Sequence, residues 1–304
     1  MPSIPDAHSD IERAWRQYAA EMDRAARAAA VAAVHEEREH RPPETMQPFR
    51  RRMALLHREI EQRHRTCARL HRRYALGLQK WSAGGARKTR PVFMATVAAD
   101  LCVDSLALTL FDGRRQELLS AASDSRARAA LELEASLGEG PAGEIADGAE
   151  SVLVEGEGLA DRWPRFGRAV AEYRIRSVVA VPLAAGRSRL GALCGYCEQP
   201  RPAAEIVRSA GTLADVLAHT VLLGGTRDPD GTPAGGIFDE AEYPSAVDLA
   251  AGIVAAQQRC TIDAALVLLR THAASQGLAL GQLARRVVRD GPPSTLAVDS
   301  APAD

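Results

Sequence analysis

Along the first 90 residues apolar side chains return every three or four positions, the spacing of a helix that buries one stripe. Ile11, Trp15, Tyr18, Met22, Ala25, Ala29 and Ala32 form one such seam. Pro42-Pro43 interrupts it, because proline has no amide hydrogen to give a helix interior. The second seam is stricter. Met53, Ile60, Cys67, Tyr74 and Trp81 fall seven apart, and Leu56, Arg63, Leu70 and Gly77 follow the first four by three. This heptad runs for about four repeats, with Arg63 and Gly77 as blemishes. A dimeric coiled coil and an intramolecular hairpin both satisfy it.

Beyond "SAGGARKTRP" (82–91), which reads as a linker, the period shortens. "SLALTLF" (105–111) predicts a strand, "DGRR" a hairpin turn and "QELLSAAS" its partner. "ARAALELEASL" predicts a helix, "SVLVE" and "SVVAVPL" (177–183) strands, and "LGALCGYC" a strand returning after the turn "AAGRSR". "AEIVRSAGTLADVLAHTVLL" (204–223) predicts a long amphipathic helix. Together these make an α+β domain, an antiparallel sheet with helices against it. "GGTRDPDGTPAGG" (224–236) is a second linker. Three short helices follow. Pro244 suits a first turn, Thr261 caps the next helix with Asp263 behind it, and Gly277 stops that helix. Leu280, Leu283, Ala284 and Val287 space the third, which "DGPP" ends.

Charge changes the picture at one place. The net charge of −1 hides a basic run: Arg50, Arg51, Arg52, Arg58, Arg63, Arg65, Arg69, Arg72, Arg73, Lys80, Arg87, Lys88 and Arg90 face only Glu59 and Glu61 between 50 and 90. A solvated helix face and an anionic partner both explain it. The five cysteines are odd in number and follow no framework, which predicts reduced thiols and a cytoplasmic protein. "MPSIPDAHSDIERAW" has no basic flank before an apolar run, so no secretory leader is expected. No window approaches 18 uninterrupted apolar residues, and no membrane span or membrane partner is expected.

Most candidate chemistry gives way under inspection. His57, His64 and His71 repeat with the heptad, but at that spacing they lie about 10 Å apart, too far to share an ion. "GEGPAG" (138–143) spells a dinucleotide fingerprint, yet a helical segment precedes it and Pro141 has no amide to offer a phosphate. A glycine turn fits better. Cys194 and Cys197 of "CGYC" have redox spacing, but in a strand residues three apart point to opposite faces. No nucleophile elbow and no metal-spaced cluster occurs, so neither catalysis, metal nor cofactor is expected.

Two stretches resemble known families. "DRWPRFGRAVAEYRIRSVVAVPLAAGRSRLGALCGY", with "LGEGPAGEIADGAESVLVE" before it, resembles the GAF sensor family over roughly residues 92–223. The resemblance implies a sensor holding a small ligand over its sheet, and the residues name no ligand. "AAGIVAAQQRCTIDAALVLLRTHAASQGLALGQLARRVV" (250–288) resembles the ANTAR family through Ala250-x-Gly252, Ala265-x-x-x-Leu269-Arg270 and Leu280-x-x-Leu283-Ala284. That family consists of three-helix RNA-binding modules that engage paired hairpin loops in nascent transcripts during antitermination. The likeness implies that Ala250, Gly252 and Ala265 keep a helix face low enough for RNA to approach. Leu269, Arg270 and His272 would lie beside it, with Arg270 contacting phosphate or stacking on a base. Arg285, Arg286 and Arg289 would add phosphate contacts. Small residues that merely let three short helices pack, with Arg270 at a helix end, remain an alternative.

The expectation is thus a multidomain, non-enzymatic regulator. Its parts are a helical hairpin or coiled coil (1–90), a GAF-like α+β sensor (91–223), a flexible linker (224–242), an all-α ANTAR-like module (243–291) and a tail (292–304). Its partners would be RNA, a small ligand and a second copy of itself. A protein-interaction module without nucleic acid and a DNA-binding helix-turn-helix are the rivals. The Ala-rich second helix, which lacks side chains for reading successive bases, disfavours the latter.

Overall fold

The computed structural model describes residues 4–84, 90–112, 114–115, 117–186, 188–199, 203–223, 226–227, 233–234, 241, 244–276 and 280–293. Helices α1 (Ile4–Glu37) and α2 (Gln47–Ala83) run for 34 and 37 residues and fold back on each other as an antiparallel hairpin. Ala25, Ala28 and Ala32 on α1 are buried, so the two backbones lie close along that stretch. Arg50 closes the turn after α1 by donating to the carbonyls of Arg38 and Arg41. Arg58 spans the hairpin with a bidentate pair to Glu36, at 2.8 and 2.7 Å.

The basic run finds its acids across the fold. Arg58 and Arg65 both reach the buried Glu61, Arg69 and Arg73 share Asp100, and Arg90 bonds Asp10, 80 residues away in sequence. Each histidine of the heptad is used in packing. His57 stacks on His35, His64 places Nδ1 2.6 Å from the buried Glu21, and His71 is buried against Phe93.

The heptad does not serve one continuous coil. From Cys67 onward it turns into the domain core: Leu70, Tyr74 and Leu78 pack with α3 (Phe93–Leu101), α8 (Ala203–Leu223) and the sheet. Helix α3 is absent from the sequence expectation, because its nine residues are nearly all apolar and show no period. At the other end of the hairpin, Phe49, Leu55 and Leu56 stay 50%, 60% and 41% exposed.

The sheet is five-stranded and antiparallel, in the order β2-β1-β5-β4-β3. Its strands are β1 (Ser105–Phe111), β2 (Glu117–Ala122), β3 (Val152–Glu155), β4 (Ser177–Ala185) and β5 (Ser188–Cys197). Alternation sorts β5 between two cores. Leu193 and Cys197 face α2, α3 and α8, whereas Ala192, Cys194 and Tyr196 face Ile145, Trp163 and Phe166. The two cysteines therefore lie on opposite sides. Gly191 is held at this crossing because an added Cβ would sit 2.1 Å from the Thr109 carbonyl oxygen.

Helices α4 (Ser125–Leu137), α5 (Pro141–Asp147), α6 (Gly158–Arg162) and α7 (Phe166–Val170) cover the second face. Asp124 caps α4, accepting from the Ala127 amide at 2.9 Å. "GEGPAG" is the turn into α5, with Pro141 in its first turn.

A two-residue ribbon, β6 (Thr226–Arg227) with β7 (Pro233–Ala234), precedes the last three helices. The remainder of the expected linker 224–242 apart from Ala241, residues 85–89 of the first linker and 294–304 of the tail lie outside the described residues. Helices α9 (Pro244–Gln258), α10 (Ile262–Ser275) and α11 (Leu280–Asp290) pack on one another, and α9 also lies against β2. No single helix among the described residues is long and apolar enough to cross a membrane.

Candidate nucleic-acid interface

Helix α9 ends on Arg259, whose φ of 52° lets the chain turn so that the Cys260 amide bonds the Ala255 carbonyl at 3.1 Å. Thr261 then caps α10, its Oγ1 accepting from the Ala264 amide at 3.2 Å. The two helices meet at a bend of 106°. Val254, Leu269, Leu283 and Val287 fill the angle, with Ala250, Ala251, Ala265, Ala273 and Ala284 between them.

This arrangement corrects one expectation. Ala250, Ala265 and Leu269 are 0% exposed, and their small or apolar side chains form the seam where the three helices meet. They are not a bare outer face. Short helices bury little each, so small residues at the crossing are what let their backbones approach. Gly252 differs: it is half-buried, and a Cβ there would meet nothing within 4 Å.

What remains outside includes arginines and apolar side chains beside the exposed Asp248, Asp263 and Asp290. Arg270 is exposed and makes no hydrogen bond or ion pair among the described residues. Its neighbours on the outer face of α10 are Val267, 59% exposed, and Thr271, whose hydroxyl is spent on the Val267 carbonyl. His272 is half-buried with its Nε2 2.8 Å from the Gln276 side-chain nitrogen, while Ser275 donates to its carbonyl. On α11, Arg286 is exposed, Arg285 is half-buried, and Arg289 pairs with Asp290 at 3.0 Å. Of the expected set, Arg270 and Arg286 are thus on the surface with their heads available. Val267 one turn from Arg270, and Leu249 and Ile262 elsewhere on the three helices, are exposed apolar residues that the sequence reading did not single out. Helical spacing held the signal, since Val267 precedes Arg270 by one turn.

A second site lies in the sheet domain. A cavity of about 710 Å³ opens between the β1–β2 hairpin and α4–α5, walled by Thr109, Phe111, Glu117, Leu131, Glu134 and Gly143. Nothing in the sequence reading marked Glu134. The residue is half-buried on α4, a helix with exposed charged positions where a glutamate attracts no notice. Its carboxyl is buried, and the burial pushes its pKa up to about 7, with Glu117 adding to the push. One oxygen accepts from the Gly143 amide at 2.8 Å, and the other has no partner among the described residues.

The family model of the ANTAR domain matches residues 241–288, and the chain carries that domain. No curated protein matches the chain. Two solved structures are similar to part of it. One is a domain of a two-component sensor histidine kinase protein from Sinorhizobium meliloti 1021, 21% identical, covering 42% of this chain and 84% of that one, with a TM-score of 0.33. The other is the GAF domain of an Acinetobacter phosphoenolpyruvate-protein phosphotransferase, 22% identical, covering 48% and 93%, with a TM-score of 0.29.

Proposed function

We propose that this chain is a signal-responsive regulator whose ANTAR domain binds RNA hairpins in nascent transcripts, gated by the GAF-like sheet domain. The observation that carries this reading is Arg270. A guanidinium left exposed and without a partner among the described residues, one turn from exposed Val267, offers a phosphate contact and a plane on which an unpaired base can stack. Arg286 supplies a further cation, and Gly252 a place where backbone can be approached closely.

Gating has a physical route. Helix α9 lies against β2, the edge strand whose hairpin also walls the cavity. A signal that favours one arrangement of the hairpin shifts the population of α9 positions, and with it the access to the module. Pairing supplies the rest: two modules on a twin-hairpin target raise each other's effective concentration. The exposed Phe49, Leu55 and Leu56 at the hairpin tip are the proposed meeting face of two copies.

An electrophoretic shift with a twin-hairpin RNA tests the reading. Wild type retards the RNA, and Arg270→Ala weakens retention by roughly tenfold, the scale of one stacked or phosphate-bound contact. Equal retention by both proteins across several salt concentrations removes Arg270 from the interface. A second reading, a protein-docking module without RNA, draws on Leu249 and Ile262, which are 58% and 52% exposed. It predicts no RNA cross-linked to the protein in cells.

A further inference from the structure

We propose that the cavity between the β1–β2 hairpin and α4–α5 takes a small organic cation, an ammonium or amidinium on a compact apolar body, held by the Glu134 carboxylate. This rests on the sensor role proposed above for the sheet domain, and it names the chemistry that such a sensor would recognise.

The orphan oxygen is the first reason. Glu134 Oε1 is occupied by the Gly143 amide at the start of α5, but buried Oε2 meets no donor among the described residues. A buried carboxylate oxygen without a donor is costly, and a fold keeps one only where something satisfies it. Anchoring α5 explains one oxygen and leaves the other, which a ligand N–H would complete. Tyr196 repeats the pattern on the same face of the sheet: it is fully buried and its hydroxyl also has no partner among the described residues. The hydroxyl and the carboxylate influence each other electrostatically.

Charge is the second reason. Glu117, Glu134 and Glu139 line the cavity against one guanidinium, Arg115. Glu139 spends an oxygen on the Arg165 and Phe166 amides. Phe111, Leu131, Ala142 and Ala146 make the rest of the wall apolar. About 710 Å³ is the size that holds a drug-sized molecule, and an apolar wall with one convergent charge is how such sites fix orientation. An anion would face net repulsion here.

The groups facing Glu134 also set the pH response. They are the Ala142 and Gly143 amides from α5, the Glu117 carboxylate from β2, and Cys194 and Tyr196 from β5, both kept neutral by burial. Glu134 ionises near neutrality, whereas an alkylammonium stays charged well above it. Binding of the cation therefore tightens as pH rises from 6 to 8, by about tenfold for a carboxyl titrating near 7.

Isothermal titration of the full chain at pH 8 with 3-methylbutylammonium and 2-phenylethylammonium tests the site. 3-Methylbutan-1-ol and 4-methylpentanoate serve as neutral and anionic counterparts. Saturable binding of an ammonium, weaker by roughly tenfold or more for the alcohol and absent for the carboxylate, is the expected result. Glu134→Gln keeps an acceptor for the Gly143 amide but removes the charge, and weakens ammonium binding by roughly tenfold or more. Ala135→Trp, built from an exposed position at the mouth, weakens binding with the carboxylate intact. Thermal midpoints no lower than wild type show that neither variant acts by unfolding. Failure of both ammoniums to saturate, parity with the alcohol, or indifference to Glu134→Gln each overturns the proposal. RNA retention measured without any amine reports on the ANTAR reading alone, so the two can fail separately.

Discussion

Burial shifts Glu134 and His71 toward their uncharged forms, and the two tilt stability in opposite directions with pH. Glu134 has its pKa raised to about 7 from an ordinary 4.5, so between those values the folded chain holds a proton that the unfolded chain has released. Stability falls as pH rises through that window, and the full cost is present above pH 7. Glu134→Gln removes the slope and stabilises the protein at pH 8, by on the order of 2 kcal/mol. His71 has its pKa lowered to about 4 from 6.5, chiefly because it is buried, with Glu21 and Arg24 acting in opposite senses. Here the unfolded chain binds the extra proton, so stability is full above pH 6.5 and is lost as pH falls toward 4. His71→Phe, which keeps a ring against Phe93, flattens that acid limb. Urea midpoints of the two variants and wild type, taken at pH 5, 6.5 and 8, check both signs. A Glu134→Gln profile parallel to wild type would mean that the carboxyl is solvated.

At the scale of elements, sheet register is set by a few close approaches. Gly191 sits where β5 crosses β1, and a methyl added there meets the Thr109 carbonyl oxygen and Leu110 Cδ2 at 2.1 and 2.9 Å. Backbone cannot yield as a side-chain end can. Gly191→Ala therefore costs several kcal/mol, the range of severe overpacking, and calorimetry or urea unfolding measures it. Gly211→Ala, on α8 with open space around its Cβ, is the matched control and is neutral or mildly stabilising. These elements show what was legible. Alternation and turn residues placed all five strands, and the three-residue offset of Cys194 and Cys197 put them on opposite faces as the fold has them. Helical period found α1, α2, α4 and α8, but α3, apolar all round, carried no period to read. The basic run looked unpaired because its acids, Glu36, Asp100 and Asp10, come from distant stretches. In the ANTAR domain the small residues were read correctly as permitting a close approach and assigned the wrong neighbour. A period of 3.6 says which residues share a face, not whether that face meets a helix or a ligand. The cavity went unseen because it forms between a hairpin and two helices, from residues spread over 109–146.

At the scale of the whole molecule, the helical hairpin packs on the sheet domain, and the sheet domain contacts the small helical module. Helix α2 gives its second half to the sheet core through Leu70, Tyr74 and Leu78, and α9 leans on the edge strand β2. The other half of the hairpin leaves Phe49, Leu55 and Leu56 exposed in an otherwise charged segment. Two copies meeting there would assemble four helices and bring two ANTAR domains to one target. The expected consequence is specific. In sedimentation the full chain behaves as a dimer, and the double variant Leu55→Glu, Leu56→Glu shifts it to monomer without lowering its thermal midpoint, because both residues lie outside the core. On a twin-hairpin RNA the same variant loses affinity by a factor of about 100 or more, the scale of a lost effective concentration, while on a single-hairpin RNA it binds as wild type does. Arg270→Ala, acting inside each module, weakens both RNAs. If the tip variant stays dimeric, the meeting face lies elsewhere. If it is monomeric yet binds the twin hairpin undiminished, one module suffices and pairing has no part in recognition.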